Sequence, residues 1–138
     1  LKAGANISWF EGKIKTETGK WDSYMSNISI PAAKLAMDIN YVPVKNTYLN
    51  LQYIHTGKRD RFAPDAKGVY NEGEGVVNRI NLVNLNAGVK LKAWDLGLSV
   101  SNLLNNTYYT STSMLMARNA EFARADGRNI TFTATFKY

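Results

Sequence analysis

The sequence predicts an all-β protein, an antiparallel meander of about six long strands of the kind that cross a membrane. Polar and apolar residues alternate in six segments, and a period of two places each set on one face of a β-strand. The apolar set includes aromatic residues near the segment ends. The connections between the segments are alternately short and long, which indicates a sheet with two different ends.

The first three segments carry their apolar residues at odd positions. Residues 1–9 alternate from Leu1 to Trp9, with Lys2, Gly4, Asn6 and Ser8 between. Residues 31–43 repeat this scheme, with Leu35, Met37, Ile39 and Tyr41 on the apolar side. Residues 48–56 follow with Leu49, Leu51 and Tyr53 facing one way and Asn50 and Gln52 the other. Each segment therefore predicts a strand with one apolar and one polar face.

The last three segments follow the same scheme. Residues 83–91 alternate from Val83 to Leu91, and residues 94–100 alternate from Trp94 to Val100. Residues 129–138 have the strictest alternation, and their apolar side consists of Ile130, Phe132, Ala134, Phe136 and Tyr138. An apolar strand face that ends in aromatic residues favours contact with lipid over burial in a protein core.

Tight turns and long connections alternate along the chain. The tight turns are residues 43–47 and 92–93, and the long connections are residues 10–30, 57–82 and 102–128. Successive connections lie at opposite ends of an antiparallel meander, so the tight turns share one end and the long connections the other. This asymmetry is typical of outer-membrane β-barrels, whose periplasmic turns are short and whose extracellular loops are long.

The aromatic residues fall where a membrane-interface girdle would lie. Amphipathic rings prefer the level of the lipid headgroups, which places them in two bands near the strand ends. The residues predicted for this girdle are Trp9, Tyr41, Tyr48, Tyr53, Trp94, Phe136 and Tyr138. A soluble sandwich or small barrel, with the same residues as core filler, is the alternative. The asparagines that recur on the second face favour a wet lumen and therefore the membrane interpretation.

Composition limits the function classes. The chain has 138 residues without a linker-like stretch, which predicts one structural unit over residues 1–138. No apolar run approaches the roughly 18 residues that a spanning helix needs. The absence of Cys excludes disulfides and thiolate metal sites. The net charge of +6 is scattered along the chain, which argues against a nucleic-acid partner.

Several segments resemble the C-terminal part of the barrel of TonB-dependent outer-membrane receptors. The most specific match is Leu98 to Tyr109, where Asn102-Leu103-Leu104-Asn105-Asn106-Thr107-Tyr108 resembles the family's Asn-Leu-(Phe/Leu)-(Asp/Asn)-x-x-Tyr signature. Residues 26–35, with Pro31 and Lys34 before a strand, residues 49–59, which end in Gly-Lys-Arg, and Gly127-Arg128-Asn129 are also similar to family segments. Tyr138 departs from the family's usual terminal Phe or Trp.

The resemblance covers nearly the whole chain and implies the last six strands of a 22-strand barrel. It implies import of iron-siderophore or a similar scarce ligand, with energy from TonB through a plug domain that, with the earlier strands, we expect to precede residue 1. It also implies an outer-membrane location, contact with lipid and lipopolysaccharide, and reading of the last strand by the assembly machinery. The residues expected to form that assembly signal are Ile130, Phe132, Ala134, Phe136 and Tyr138.

Nothing in the sequence predicts catalysis, a cofactor or a metal. His55 is the only histidine, and its place at the long-loop end of the apolar side favours a structural role over a hydrolase using Ser, His and Asn. Asp65, Glu72 and Glu74 lie in a Gly-rich connection but lack the spacing of a calcium loop. We therefore expect a protein that is not an enzyme.

Ligand binding is expected in the long connections, because rigid strands present such loops to the outside. Arginines there could pair with carboxylates or lipopolysaccharide phosphates, and aromatic residues could stack on an aromatic siderophore. The candidates are Trp21, Tyr24, Arg59, Arg61, Phe62, Tyr70, Tyr108, Tyr109, Arg118, Phe122 and Arg124.

Two alternatives to the receptor hypothesis remain open at the level of sequence. One is a self-contained small outer-membrane barrel or adhesin, although six strands lie below the usual minimum of about eight. The other is a soluble β-sandwich that acts as a binding module. Under the receptor hypothesis, the two outermost segments, residues 1–9 and 129–138, form open edges, so the chain by itself is expected to self-associate.

Overall fold

The computed structural model describes residues 1–71, 73–116 and 123–138. Eight strands and one short helix occur in these ranges, and most of the regular secondary structure is strand. In chain order the elements are β1 (Lys2–Ser8), β2 (Lys13–Ile14), β3 (Ser23–Tyr24), β4 (Lys34–Tyr41), β5 (Thr47–Thr56), β6 (Ile80–Lys90), β7 (Trp94–Ser101), α1 (Ser111–Met116) and β8 (Asn129–Phe136).

Six of the strands form one antiparallel sheet in the order β1-β4-β5-β6-β7-β8. Within this sheet every strand pairs with its sequence neighbours, which is the topology of a meander. Strands β2 and β3 form a separate two-stranded hairpin inside the first long connection. The predicted all-β class is therefore confirmed, and so is the meander of six antiparallel strands. Among the described residues the sheet is open, with β1 and β8 as its edges.

The strand bounds agree with the sequence prediction to within two residues except at the starts of β4 and β6. Strand β4 begins at Lys34, three residues after the predicted start at residue 31, and β6 begins at Ile80, three residues before the predicted Val83. Ile80 and Leu82 pair with Thr56 and Ile54 on the face that is otherwise polar, whereas Asn81 lies on the otherwise apolar face. The alternation is thus inverted over residues 80–82. A prediction that assumes one phase of alternation along the whole strand therefore does not find the start of β6.

Two small elements in the long connections were not predicted as they occur. The two-residue strands β2 and β3 are too short to show a period. Helix α1 covers Ser111–Met116 in the third long connection, where the sequence shows no clean helical stripe. No helix in the described part of the chain is long and apolar enough to cross a membrane.

The main cluster of buried hydrophobic residues lies at the long-loop end of the sheet, whereas the strands of the sheet contribute Ile80 and Val100 to the buried hydrophobic residues. The cluster is formed by Ala32, Val77, Met114 and Leu115, with the partly buried Tyr109 packed against it. All five residues lie outside the strands of the sheet, in or next to its long connections. Val77 is 1% exposed and Met114 is 2% exposed, so the connections fold together into a packed cap.

The signature segment from Asn102 to Asn106 is a tight turn held by its own asparagines. Asn102 and Asn105 adopt positive φ angles of 50° and 54°, a conformation that asparagine tolerates better than other non-glycine residues. The side chain of Asn102 is buried and bonds both backbone groups of Asn106: Oδ1 accepts from its N–H at 2.9 Å, and Nδ2 donates to its carbonyl at 2.8 Å. Asn106 in turn donates to the Asn81 carbonyl at 2.9 Å. The turn therefore fixes the exit of β7 against β6.

Truncation of a side chain in the packed cap should cost far more stability than truncation of a side chain on the apolar face of the sheet. Met114 is 2% exposed, whereas Phe132 in the middle of β8 is 68% exposed. We expect Met114→Ala to lower the free energy of unfolding by about 2–4 kcal/mol, and Phe132→Ala by less than about 1 kcal/mol. Urea unfolding of both variants in detergent micelles measures the difference. Equal costs would contradict a core located in the cap.

Candidate functional site

The register of the sheet separates apolar and polar residues into rows that run across all six strands. One row consists of Ala3, Ile39, Leu51, Leu85, Val100 and Ile130, each paired with the next. The adjacent row, one residue along, consists of Lys2, Asn40, Asn50, Asn86, Ser99 and Thr131. Because neighbouring rows point to opposite faces, the sheet has one apolar and one polar face.

The polar row is joined by side-chain hydrogen bonds. Nδ2 of Asn50 donates to Oδ1 of Asn40 at 2.9 Å, and Nδ2 of Asn86 donates to Oδ1 of Asn50 at 3.3 Å. Ser99 donates to Asn86 at 2.7 Å, and Asn40 donates to Asp38 at 2.8 Å. The chain of amides spans β4 to β7. Such a ladder suits a face that contacts water, because unused amide groups stay solvated.

The apolar face has no covering layer among the described residues. Large side chains on it remain open, including Met37 at 41%, Ile39 at 45% and Ile130 at 64% exposure. A soluble sandwich buries this face against a second sheet, and the only other sheet in the described residues is the four-residue hairpin of β2 and β3. The described residues thus contain no second layer that covers this face.

Most of the predicted girdle residues lie near the ends of the apolar face, but Tyr48 does not. Trp94 and Phe136 pair at the short-turn end, with ring centroids 5.0 Å apart. Tyr48 pairs with Gly88 on the polar face, where a Cβ at Gly88 would overlap the Tyr48 ring. Tyr48 therefore lies on the polar face and not on the apolar face, where the girdle was predicted. Its ring instead covers a strand position that has no side chain.

The remaining girdle candidates lie at both ends of the sheet. Tyr41 ends β4 at the short-turn end, and Tyr138 is fully exposed just beyond β8. Trp9 is 68% exposed just beyond β1, at the long-loop end. Tyr53 lies on the apolar face of β5, where its hydroxyl donates to Oδ1 of Asn81 at 2.9 Å.

His55 belongs to the same polar contact as Tyr53. Its Nδ1 lies 2.7 Å from Oδ1 of Asn81, which also accepts from the Tyr53 hydroxyl. The three side chains share the long-loop end of the apolar face, where a single amide oxygen links two strands. No nucleophile is part of this contact among the described residues, and the arrangement serves to hold β5 against β6.

Two of the ligand candidates, Tyr24 and Arg61, come together in a cluster that sequence reasoning did not assemble. Arg61 forms an ion pair with Glu11 and lies 4.4 Å from the centre of the Tyr24 ring. Nζ of Lys13 lies 5.2 Å from the same ring centre. The cluster ties the second long connection to the β2–β3 hairpin of the first.

Charge pairing shifts the pKa values in this region. The hydrogen bond from Arg61 lowers the pKa of Glu11 below its usual range, and the pKa of Arg61 is raised by the same bond. The hydrogen bond from Lys58, 2.7 Å away, lowers the pKa of Asp60. The pKa of Arg59 is lowered, first by its burial and then by the nearby charge of Arg61.

The other ligand candidates are spread over the three connections. Trp21 is 65% exposed, Phe62 and Tyr70 are half-buried, and Tyr108 is half-buried in the third connection. Tyr109 packs against the cap core, and Arg124 donates to the Thr107 hydroxyl at 2.9 Å. Arg118 and Phe122 lie outside the described residues. The structure thus brings Tyr24, Arg59 and Arg61 to one side and leaves the rest apart.

Sequence reasoning missed Glu11 and Lys58, which pair with Arg61 and with Asp60. Glu11 lies 50 residues from its partner, and no local pattern joins positions so far apart. The alternating charges of Lys58-Arg59-Asp60-Arg61 are the one signal that could have been used. The described residues contain no group of three or more side chains placed to hold a metal ion.

No protein-family model matches the sequence, and no solved structure matches the fold significantly. The function is therefore argued from the sheet and its long connections.

Loss of the Glu11 carboxylate should remove an acid-dependent part of the stability. Because the fold lowers the pKa of Glu11, its contribution is present above the ordinary value of 4.5 and is lost as the pH falls through the folded value. We expect Glu11→Gln to lose less stability than the parent chain between pH 7 and pH 3. Thermal unfolding in detergent at both pH values measures this. Glu17→Gln, in the same connection, serves as the control and should lose as much as the parent.

Proposed function

We propose that the chain forms barrel wall and extracellular loops of a TonB-dependent outer-membrane receptor, which imports an iron-siderophore or a similarly scarce ligand. The observation that carries the proposal is the separation of two complete rows, one apolar and one polar, across six paired strands. In a membrane barrel the apolar face contacts lipid and the polar face contacts a wet lumen. The family itself enters through the resemblance of the Asn102 to Tyr108 signature.

The uncovered apolar face supports a lipid environment. Soluble monomers rarely expose contiguous apolar patches larger than a few hundred Å². Here the apolar rows continue over the whole width of the sheet, and side chains such as Ile39, Ile130 and Phe132 are 45%, 64% and 68% exposed. Each Å² of this surface removed from water contributes about 25 cal/mol. Lipid removes it from water without a second protein layer.

Strand lengths and the two sheet ends also fit a membrane wall. The six strands of the sheet have 7 to 11 residues, close to the 9–11 that a tilted spanning strand needs. The short turns lie at one end, and the packed cap of long connections lies at the other. In the proposal the cap faces the outside of the cell and the short turns face the periplasm, which puts the ligand candidates outside.

The open edges of the sheet support a wall that continues into further strands. Strands β1 and β8 each expose one row of backbone groups, and every residue of β8 is exposed. In lipid such groups must be paired, because no water reaches them. We propose that neighbouring strands of a larger barrel, of the 22-strand type, supply the partners. TonB would act through a plug domain, and the wall itself carries out no catalysis.

Charge substitutions on opposite faces of β8 test the proposal. Phe132 and Thr133 are neighbours in the middle of the strand and point to the apolar and polar faces. We expect Phe132→Lys to weaken insertion into phosphatidylcholine vesicles by about 2–4 kcal/mol, because the charge enters the bilayer centre. Thr133→Lys, the matched control, should change insertion by less than about 1 kcal/mol. Vesicle co-sedimentation over a urea series measures both.

Two outcomes would contradict the proposal. Equal effects of the two lysines would show that the faces do not meet different solvents. A monodisperse monomer in buffer without detergent, measured by light scattering, would favour a soluble binding module, because the open edges and the apolar face are then stable in water. Aggregation or detergent dependence is the expected behaviour.

A further inference from the structure

A cavity of about 210 Å³ lies at the long-loop end of the sheet, between the end of β1 and the start of the second long connection. Trp9 and Phe10 line it from one side, and Lys58, Arg59, Asp60 and Arg61 line it from the other. The cavity therefore combines two exposed aromatic side chains with three basic residues. A site with this lining is suited to an anion with an organic body.

The charges around the cavity do not cancel. Lys58 is paired with Asp60 at 2.7 Å, and Arg61 is paired with Glu11. Arg59 forms no ion pair among the described residues, so the charged lining residues taken together with Glu11 carry one positive charge in excess. The excess lies on a residue that is 6% exposed, and burial of an unpaired charge is unfavourable. A single anionic group would offset that cost.

The guanidinium of Arg59 has one edge in use and one edge free. Its backbone is fixed by two hydrogen bonds with Val77, at 2.9 and 2.8 Å, and its Nη1 donates to the Pro31 carbonyl at 3.2 Å. Nε and Nη2 are buried and have no hydrogen-bond partner in the described part of the chain. These two nitrogens carry the parallel N–H pair along one edge of the guanidinium, which matches two oxygens of a carboxylate or a phosphate.

We propose that this cavity binds one oxyanionic group, a carboxylate or a phosphate, through the free Nε–Nη2 edge of Arg59. Both N–H groups are covered in the ligand-free structure, so this binding requires the Arg59 side chain to turn toward the cavity when the anion enters. Trp9 and Phe10 then contact the apolar part of the ligand. Lys58 and Arg61 keep their own acidic partners and raise the local potential without taking the anion themselves.

The inference deepens the proposed function and rests on it for the source of the ligand. An importer presents its loops to small molecules outside the cell, and one anionic group of such a molecule fits a cavity of this size. The phosphate of a lipid headgroup has the same chemistry and could reach the same end of the sheet. The experiment therefore separates soluble anions from a lipid phosphate.

Anion titrations of the 138-residue chain in neutral detergent micelles test the site. The probes are citrate, inorganic phosphate and phosphatidic acid dispersed in the micelles, with chloride at equal ionic strength as the reference. Isothermal titration calorimetry gives the dissociation constants. We expect citrate or phosphate to bind more tightly than chloride, and Arg59→Met to weaken binding about tenfold or more, since it removes the charge and the fork.

Further variants separate the effect of the parallel N–H pair of Arg59 from the effect of its charge. Arg59→Lys keeps the charge and loses the parallel N–H pair, so we expect binding between that of the parent and that of Arg59→Met. Arg128→Met removes an exposed arginine from the third connection and should leave the dissociation constant within about twofold. Should Arg59→Met fail to fold, the comparison of Arg59→Lys with Arg128→Met decides the question.

Three results would overturn the inference: no binding of citrate or phosphate above chloride, equal binding by Arg59→Met and the parent, or equal binding by Arg59→Lys and the parent. Binding of phosphatidic acid alone would assign the site to lipid and overturn the soluble ligand. Vesicle insertion is measured separately from these titrations. A chain that inserts but binds no anion refutes only this site, and a chain that binds anions but does not insert refutes the receptor function.

Discussion

The structure depends on one constraint: the alternation of apolar and polar side chains must stay in register from strand to strand across all six antiparallel strands. A slip of one residue between any two strands would move an entire strand's apolar residues to the polar face. The observed register avoids this, so that Ile39, Leu51 and Leu85 fall in one row and Asn40, Asn50 and Asn86 in the next. The amide ladder across β4 to β7 favours the same register, since its side chains meet only when these rows align.

The same constraint explains why the core lies away from the sheet. A single sheet with one polar face and one largely uncovered apolar face encloses no interior, and most of the packing therefore lies where the long connections meet. Val77, Met114 and Leu115 form that cap, and the Glu11–Arg61 pair ties two connections together beside it. The free edge of Arg59 lies next to this packed region, where low solvent access strengthens a charge-assisted hydrogen bond. The paired strands thus hold a loop end whose side-chain chemistry can differ from that of the sheet.

Local patterns made the strands predictable, whereas contacts between distant residues were not. The alternation around Leu35 to Tyr41 and along β8 is visible in sequence because each face repeats every second residue. The alternation did not predict Ile80 to Leu82, where the apolar and polar positions exchange faces. It was also not applied to Tyr48, although the even number of this position already placed Tyr48 on the same face as Asn50. The site depends on pairings that the sequence cannot show, namely the ion pair of Arg61 with Glu11 and the hydrogen bond from Arg59 to the Pro31 carbonyl. Composition indicated basic loops but not which arginine lacks a partner.

The central claim, that the two faces of the sheet meet different solvents, is tested most directly by spin labels placed one at a time along β5. The chain has no cysteine, so single cysteines at positions 49 to 52 can be labelled without background. In lipid vesicles, the account predicts that labels replacing Leu49 and Leu51 are relaxed by oxygen, which concentrates in lipid. Labels replacing Asn50 and Gln52 are relaxed by a water-soluble nickel chelate, giving a period of two. Equal access of the chelate to all four positions would contradict the account.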